Sequence, residues 1–125
     1  MFNGQNACIY SLIIARSKQW PANEALRYGE DKLTYAELHK QSDLIARQII
    51  LLLDQRGGIH MIPIILCRSF DFFVAMFGIM QANAAFVPIN PTSFLQNRVC
   101  LMCQEVEAAV VITNAAGCCL ILEQV

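Results

Sequence analysis

The 125 residues are enough for one domain with a real core and too few for two. Counting the six Gly in place of the three Tyr makes the apolar share 58%, against roughly 45–50% in an average soluble domain; charged residues are 15% where about 25% is usual, which excludes intrinsic disorder. A net charge of −1 provides no field for phosphates, so nucleic acid and anionic membrane surfaces are not expected partners.

Residues 1–56 hold thirteen of the nineteen formal charges, so the second half is expected to be the more buried. Met1–Ile14 lacks the basic start and small-residue cleavage site of a secretory leader, and the expected location is cytoplasmic. Phe72–Ile89 runs eighteen residues without a charge, the lower limit for crossing a bilayer. Gln81, Asn83 and Pro88 interrupt it, and neither flank carries a Lys/Arg cluster. A buried helix followed by a buried strand is the better reading.

Taken in chain order, Ala7–Lys18 shows Ile9, Leu12 and Ile13 at helical spacing, with Trp20 just beyond, and predicts an amphipathic helix. Trp20-Pro21-Ala22-Asn23 breaks it. Glu24–Tyr28, Gly29-Glu30-Asp31 and Lys32–Tyr35 then predict a small hairpin. Thr34-Tyr35-Ala36-Glu37 has capping-box spacing, with Leu33 and Leu38 placed as a hydrophobic staple. The helix it starts should run to about Gln55, burying Leu38, Ile45, Ile49 and Leu52, exposing an Asp43–Arg47 pair, and stopping at Arg56-Gly57-Gly58.

Met61–Cys67 is an apolar run of strand length, expected to be buried on both faces as in a parallel sheet. Ser69 should cap the next helix, with Asp71 in its first turn; Phe72, Phe73, Met76, Phe77, Ile79 and Met80 surround that helix with apolar side chains, so it should pack on more than one side. Asn83 is placed to end it in the left-handed conformation. Phe86–Ile89 reads as a short strand that Pro88 consigns to an edge or an end. Asn90-Pro91-Thr92-Ser93 makes a turn, Ser93 and Gln96 repeat the capping-box spacing before a helix over Phe94–Val106, and Ala108–Thr113 is a further buried strand. The fold class is therefore α/β, with helices alternating with a largely parallel sheet joined by right-handed crossovers.

The six cysteines include Cys100 and Cys103 in C-x-x-C spacing. A closed zinc site needs four ligands, and the other candidates are the adjacent Cys118 and Cys119, isolated Cys8 and Cys67, and His39 and His60 in separate segments. The cysteines read better as small apolar core residues in a reducing compartment. His39 is expected on the solvated side of its helix and His60 in a connection. The sequence contains no G-x-x-x-x-G-K-[ST], G-x-G-x-x-G or G-x-S-x-G. No residue is assigned a catalytic, cofactor-binding or metal-binding role.

Glu24-Ala25-Leu26 with Leu33–Leu38, then Leu66-Cys67-Arg68-Ser69, then Met80–Pro91 resemble, in this order, the adenylation domains of nonribosomal peptide synthetases, within the adenylate-forming ligase superfamily. The resemblance covers about residues 9–114, with Val110-Val111-Ile112-Thr113 similar to the family's next strand. The family's pattern there is Leu-Lys-Ala-Gly-x-Ala-Tyr-Val-Pro-Ile/Leu-Asp-Pro; this chain has Gln81 for Lys, Asn83 for Gly, Phe86 for Tyr and Asn90 for Asp. The family also has a second proline before its next Arg, where this chain has Thr92–Asn97 before Arg98.

The resemblance implies that residues 1–125 form a single partial domain, the N-terminal part of such an enzyme fold. It implies ATP and Mg²⁺ for the complete family member, which joins a carboxylate to ATP and releases pyrophosphate. The family's Thr/Ser/Gly-rich phosphate loop, its nucleotide-binding aromatic and acidic residues and its catalytic lysine all match positions beyond Val125. The chain is accordingly expected to bind no cofactor and to be inactive alone, with the remainder of an adenylation domain or another copy of itself as partner. The competing expectations are a non-catalytic remnant that docks on another protein and, more weakly, a metal or redox module at Cys100 and Cys103.

Overall fold

The computed structural model describes residues 9–53, 57–58, 60–67, 69–91, 96–115 and 118–123. The elements are α1 (Ile9–Gln19), β1 (Glu24–Tyr28), β2 (Asp31–Thr34), α2 (Tyr35–Leu52), β3 (Met61–Ile65), α3 (Phe70–Gln81), β4 (Ala85–Ile89), α4 (Gln96–Glu105), β5 (Val110–Ala115) and β6 (Cys118–Glu123). β1 and β2 pair as an antiparallel hairpin, turning at Gly29 with φ 62°. The other strands form one sheet in the order β4-β3-β5-β6, parallel across its first three members and antiparallel at β6. The α/β alternation is as expected; the antiparallel β6, from an apolar run after Gly117, is an addition to it.

Strand alternation divides the core into two faces. Ile62, Ile64, Val110 and Ile112 meet Ile49 of α2 and Ala75 and Ile79 of α3. Ile65, Val87, Ile89 and Val111 meet Cys103, Val99 and Met102 of α4. Neighbouring residues of one strand thus serve opposite helix layers, which is why β3 reads as a continuous apolar run. Pro63 sits inside this central strand, fully buried, where a missing amide would ordinarily cost a ladder bond. Pairing with β5 begins only at Ile64, one residue later, so the lost donor falls where that ladder has not started.

A third apolar cluster joins Leu33 and Leu38 to Val74 and Phe77, with Tyr10, Ile13, Leu26, Phe70 and Phe73 around them. Helix α3 therefore packs on the sheet, on α2 and under α1 and the hairpin, and none of its residues is fully exposed. The reading of α1 needs correction: Ile9 is 53% and Leu12 47% exposed, and the packed face is Tyr10, Ile13 and buried Ser17. Those three recur at i, i+3 and i+7, a period the two adjacent isoleucine and leucine positions obscure. Trp20 is also largely exposed, with the Arg16 guanidinium 4.9 Å from its ring centroid.

Helix ends follow their local chemistry. Thr34 Oγ1 accepts from the Glu37 amide at 3.2 Å, and Glu37 Oε1 accepts from the Thr34 amide at 3.2 Å, completing the capping box. Ser69 Oγ accepts from the Phe72 amide at 3.3 Å. Asn83 has φ 66°; its amide donates to the Met80 carbonyl and that of Ala84 to Ile79, both at 3.1 Å, the paired bonds of a left-handed helix stop. Glu107, φ 52°, ends α4 in the same way, with Ala108 donating to Cys103 at 3.1 Å and Glu107 to Gln104 at 3.0 Å. Helix α2 ends at Leu52, short of the expected Gln55, which lies outside the described residues, as do Arg56, Arg68 and Ser93. β5 starts later and runs further than the predicted Ala108–Thr113, and β3 stops at Ile65 with Met61 half-exposed.

Candidate functional site

Because α3 and α4 cover opposite faces of the sheet, the chain leaves the carboxyl ends of β3 and β4 in opposite directions, the usual setting for a crevice in an open α/β sheet. After β3, Cys67 is exposed, and Ser69, Phe70 and Asp71 open α3. The hairpin lies against this helix start. A cleft of about 380 Å³ is lined by Tyr28, Asp31, Ser69, Phe70 and Asp71, and an adjoining depression of about 180 Å³ adds Leu26, Arg27 and Phe73. Tyr28 and Asp31 face one another as the last pair of the hairpin ladder.

The polar groups of this cleft have structural employment. Ser69 Oγ caps α3 and donates to the Cys67 carbonyl at 3.0 Å. Arg27 Nε is 3.1 Å from Glu24 Oε1. Asp71 lies in the first turn of α3, where a carboxylate complements the helix dipole. Among the described residues of the cleft, no nucleophile and base are brought together.

Cys100 and Cys103 sit one turn apart on α4, Cys100 exposed and Cys103 buried at 3% exposure. Burial pushes the Cys103 thiol up, and the neighbouring Cys100 adds to the rise. No group of three or more His, Cys, Asp or Glu capable of holding a metal exists among the described residues. His39 is half-buried on α2, not on its fully solvated side, and Ser42, one turn on, is buried and donates to the Leu38 carbonyl. His60 lies just before β3, its carbonyl accepting from the Ala85 amide at 2.9 Å. The side chains of Cys118 and Cys119 and all of Cys8 lie outside the described residues.

The segments carrying the resemblance converge on the α2/α3 layer. Thr34 and Glu37 start α2, Gln81 and Asn83 end α3, and Ala85–Ile89 form β4. A family model described as AMP-binding enzyme matches residues 14–124. The chain belongs to the AMP-binding enzyme family. Within that family it is a fragment of an adenylation domain of the nonribosomal peptide synthetase type.

Nonribosomal peptide synthetase 8 of Aspergillus fumigatus is 35% identical over 108 residues, covering 86% of this chain and 1% of that protein. Nonribosomal peptide synthase roqA of Penicillium rubens is 36% identical over 107 residues, 86% of this chain and 4% of that protein. The peptide synthetase FmoA3, in its α-methyl-L-serine-AMP-bound form, superposes with a TM-score of 0.78 at 21% identity, over 87% of this chain and 12% of its own. The N-terminal subdomain of Klebsiella oxytoca NpsA, in complex with 3-hydroxybenzoyl-AMSN, gives 0.69 at 21% identity, over 86% of this chain and 27% of its own. At such identities the structural likeness is one of fold. This adenylation fragment thus spans a small part of the proteins it matches.

The sequence did not mark the cleft between hairpin and α3, nor the interlock of α2 with α3. The first is assembled from segments some forty residues apart that carry no motif. A signal for the second was present in Gly78, a glycine inside an otherwise apolar helix.

Proposed function

We propose that this chain is the N-terminal scaffold of an ATP-dependent domain that activates an amino acid or another carboxylic acid, and that it is inactive by itself. In the complete reaction the carboxylate attacks the α-phosphorus of ATP, forming an acyl-adenylate and releasing pyrophosphate. Bound Mg²⁺ would supply charge stabilisation on the phosphates in the complete domain. In this reading nucleotide and metal belong to the complete parent domain.

One observation carries this reading: residues of the family-like segments, whether they keep the pattern or depart from it, are used in caps, turns and helix packing. Thr34 and Glu37 satisfy each other's backbone amides, Asn83 closes α3, and Gln81 bonds Asp43 on α2. The test is pyrophosphate exchange into ATP together with calorimetric titration of the chain with Mg²⁺-ATP. The expected result is no exchange and no heat of binding; stoichiometric, Mg²⁺-dependent ATP binding would overturn it.

Exposed apolar side chains favour a second reading, association with another polypeptide. Leu44, Ile50 and Leu51 of α2 and Leu101 of α4 are more than half exposed, or at it. In this proposal the remainder of an adenylation domain, or a second copy, covers such surface. The test is co-expression with the rest of such a domain, expecting a co-purifying complex; separate elution would count against it.

A further inference from the structure

We propose that Cys100 and Cys103 form a redox modification site, in which hydrogen peroxide oxidises Cys100 and Cys103 then closes a disulfide within α4. The pair plays no part in the function proposed above. Its asymmetry sets the order of events. Cys100 is exposed to a small oxidant, while Cys103 is packed with Ile89, Ala108 and Val111 beneath the helix. The raised affinity of Cys103 for its proton agrees with Cys100 reacting first.

The Cα spacing of the pair suits a disulfide, and closure then needs a local deformation of α4. Residues three apart in an α-helix have Cα atoms about 5 Å apart, within the disulfide range of roughly 4.4–6.8 Å. Their Cβ atoms, about 5–6 Å apart, must approach to roughly 3.5–4.5 Å. That approach requires α4 to deform locally between the two residues, since regular helical turns, α or 3₁₀, leave side chains three apart at about 5–6 Å. The pair lies in the last two turns of α4, which ends at the left-handed Glu107.

In the first step the Cys100 thiolate attacks one peroxide oxygen, the O–O bond breaks, and the departing oxygen leaves as water after taking a proton. Cys100 is then a sulfenic acid. In the second step the Cys103 sulfur attacks Cys100 Sγ and expels hydroxide, which takes the Cys103 proton and leaves as water. Two thiols lose two electrons and two protons, and one peroxide becomes two waters. Closing the bond draws the Cys103 sulfur out of its cluster, so the oxidised chain should be less stable than the reduced one.

The test is intact-mass measurement and peptide mapping of the folded full chain, treated with equimolar hydrogen peroxide, in a background where Cys8, Cys67, Cys118 and Cys119 are Ser. If that background does not fold, the natural chain is mapped by differential alkylation. The expected product has lost two hydrogens, carries the bond between Cys100 and Cys103, and reverts with dithiothreitol. Cys103→Ser should instead leave a dimedone-reactive sulfenic acid on Cys100, and Cys100→Ser should slow oxidation at Cys103 by about tenfold or more, as burial dictates. Conversion of Cys100 to a sulfinic acid with Cys103 still alkylatable, or cross-links only between chains, would overturn the proposal.

Discussion

Gln81 Nε2 donates to Asp43 Oδ1 at 2.7 Å, tying the last residue of α3 to the middle of α2 across 38 positions of sequence. The other carboxylate oxygen of Asp43 is 2.9 Å from Arg47 Nε, so one side chain takes a neutral and a cationic donor. The family pattern has Lys where this chain has Gln81. In this chain the amide donor makes the link without adding a charge.

Gln81→Ala should therefore lower stability by about 1–2 kcal/mol, since a half-buried hydrogen bond to a carboxylate is lost. Gln81→Lys should fall within about 0.5 kcal/mol of the parent, the amide bond being replaced by a partly exposed ion pair. Urea denaturation of the three proteins checks both; equal midpoints for Gln81→Ala and the parent would show that the link adds nothing.

Gly78 sets how closely the same two helices approach. A Cβ there would lie 2.7 Å from Ile45 Cγ2, 2.8 Å from Ile45 Cβ and 3.0 Å from the Ser42 carbonyl oxygen. Two of those atoms, Ile45 Cβ and the carbonyl oxygen, cannot swing aside, so the helices must separate. Gly78→Ala should cost about 1–3 kcal/mol despite the better helix propensity of Ala. A thermal melt unchanged from the parent would mean that the interface is looser than this spacing.

Much of the fold was legible because its signals are local. A capping box needs only Thr34 and Glu37, and the staple that accompanies it needs only Leu33 and Leu38. The double-faced burial of β3 is written in an unbroken apolar run, and the edge position of β4 in Pro88. What depends on distant partners was not legible. Nothing near Asp43 announces Gln81, and nothing near Ile9 says that Tyr10 and Ser17, with Ile13, will be covered in place of Ile9 and Leu12, because the hairpin and α3 decide which face of α1 is inside. The cleft beside Tyr28 is hidden for the same reason, and without a motif it could not be read as a site.

Thr34→Ala tests the most local of these signals. The substitution removes the acceptor for the Glu37 amide, and with it the 2.9 Å bond from Thr34 Oγ1 to Glu37 Oε1. A loss of about 1 kcal/mol is expected, and Thr34→Ser should recover most of it. Chemical denaturation that does not distinguish Ala from Ser at this position would refute the capping role.

Glu107 offers a test in the stabilising direction. It holds φ 52° at the end of α4, a conformation that costs a side-chain-bearing residue about 1 kcal/mol more than it costs glycine. Asn83, at φ 66°, occupies the same position at the end of α3 with a residue better suited to it. Glu107→Gly should raise stability by up to about 1 kcal/mol, whereas Asn83→Gly should change it by only a few tenths. Denaturation midpoints that rank the two substitutions in the opposite order would remove left-handed strain as the explanation.

The remaining prediction concerns the state of the chain in solution. Among the described residues β4 is an edge of the sheet, and Pro88 removes only one of its amide donors, which leaves backbone groups for a further strand. Met61, at the start of β3 and paired with Ala85, is 46% exposed, and Leu51 on α2 is 75% exposed. The matched portion covers only 27% of the NpsA N-terminal subdomain chain, so in that relative most of the polypeptide lies beyond the shared part. Open edges and uncovered apolar side chains both lower their free energy by association. Size-exclusion chromatography with light scattering should find oligomers, and a hydrophobic dye should bind them. Adding charge at the exposed apolar positions, as in Leu44→Glu with Leu51→Glu, should shift the distribution toward monomer if those side chains drive assembly. A monodisperse 14.0 kDa species with negligible dye binding and a cooperative melt would show instead that the chain is self-sufficient, its edge strand and exposed leucines notwithstanding.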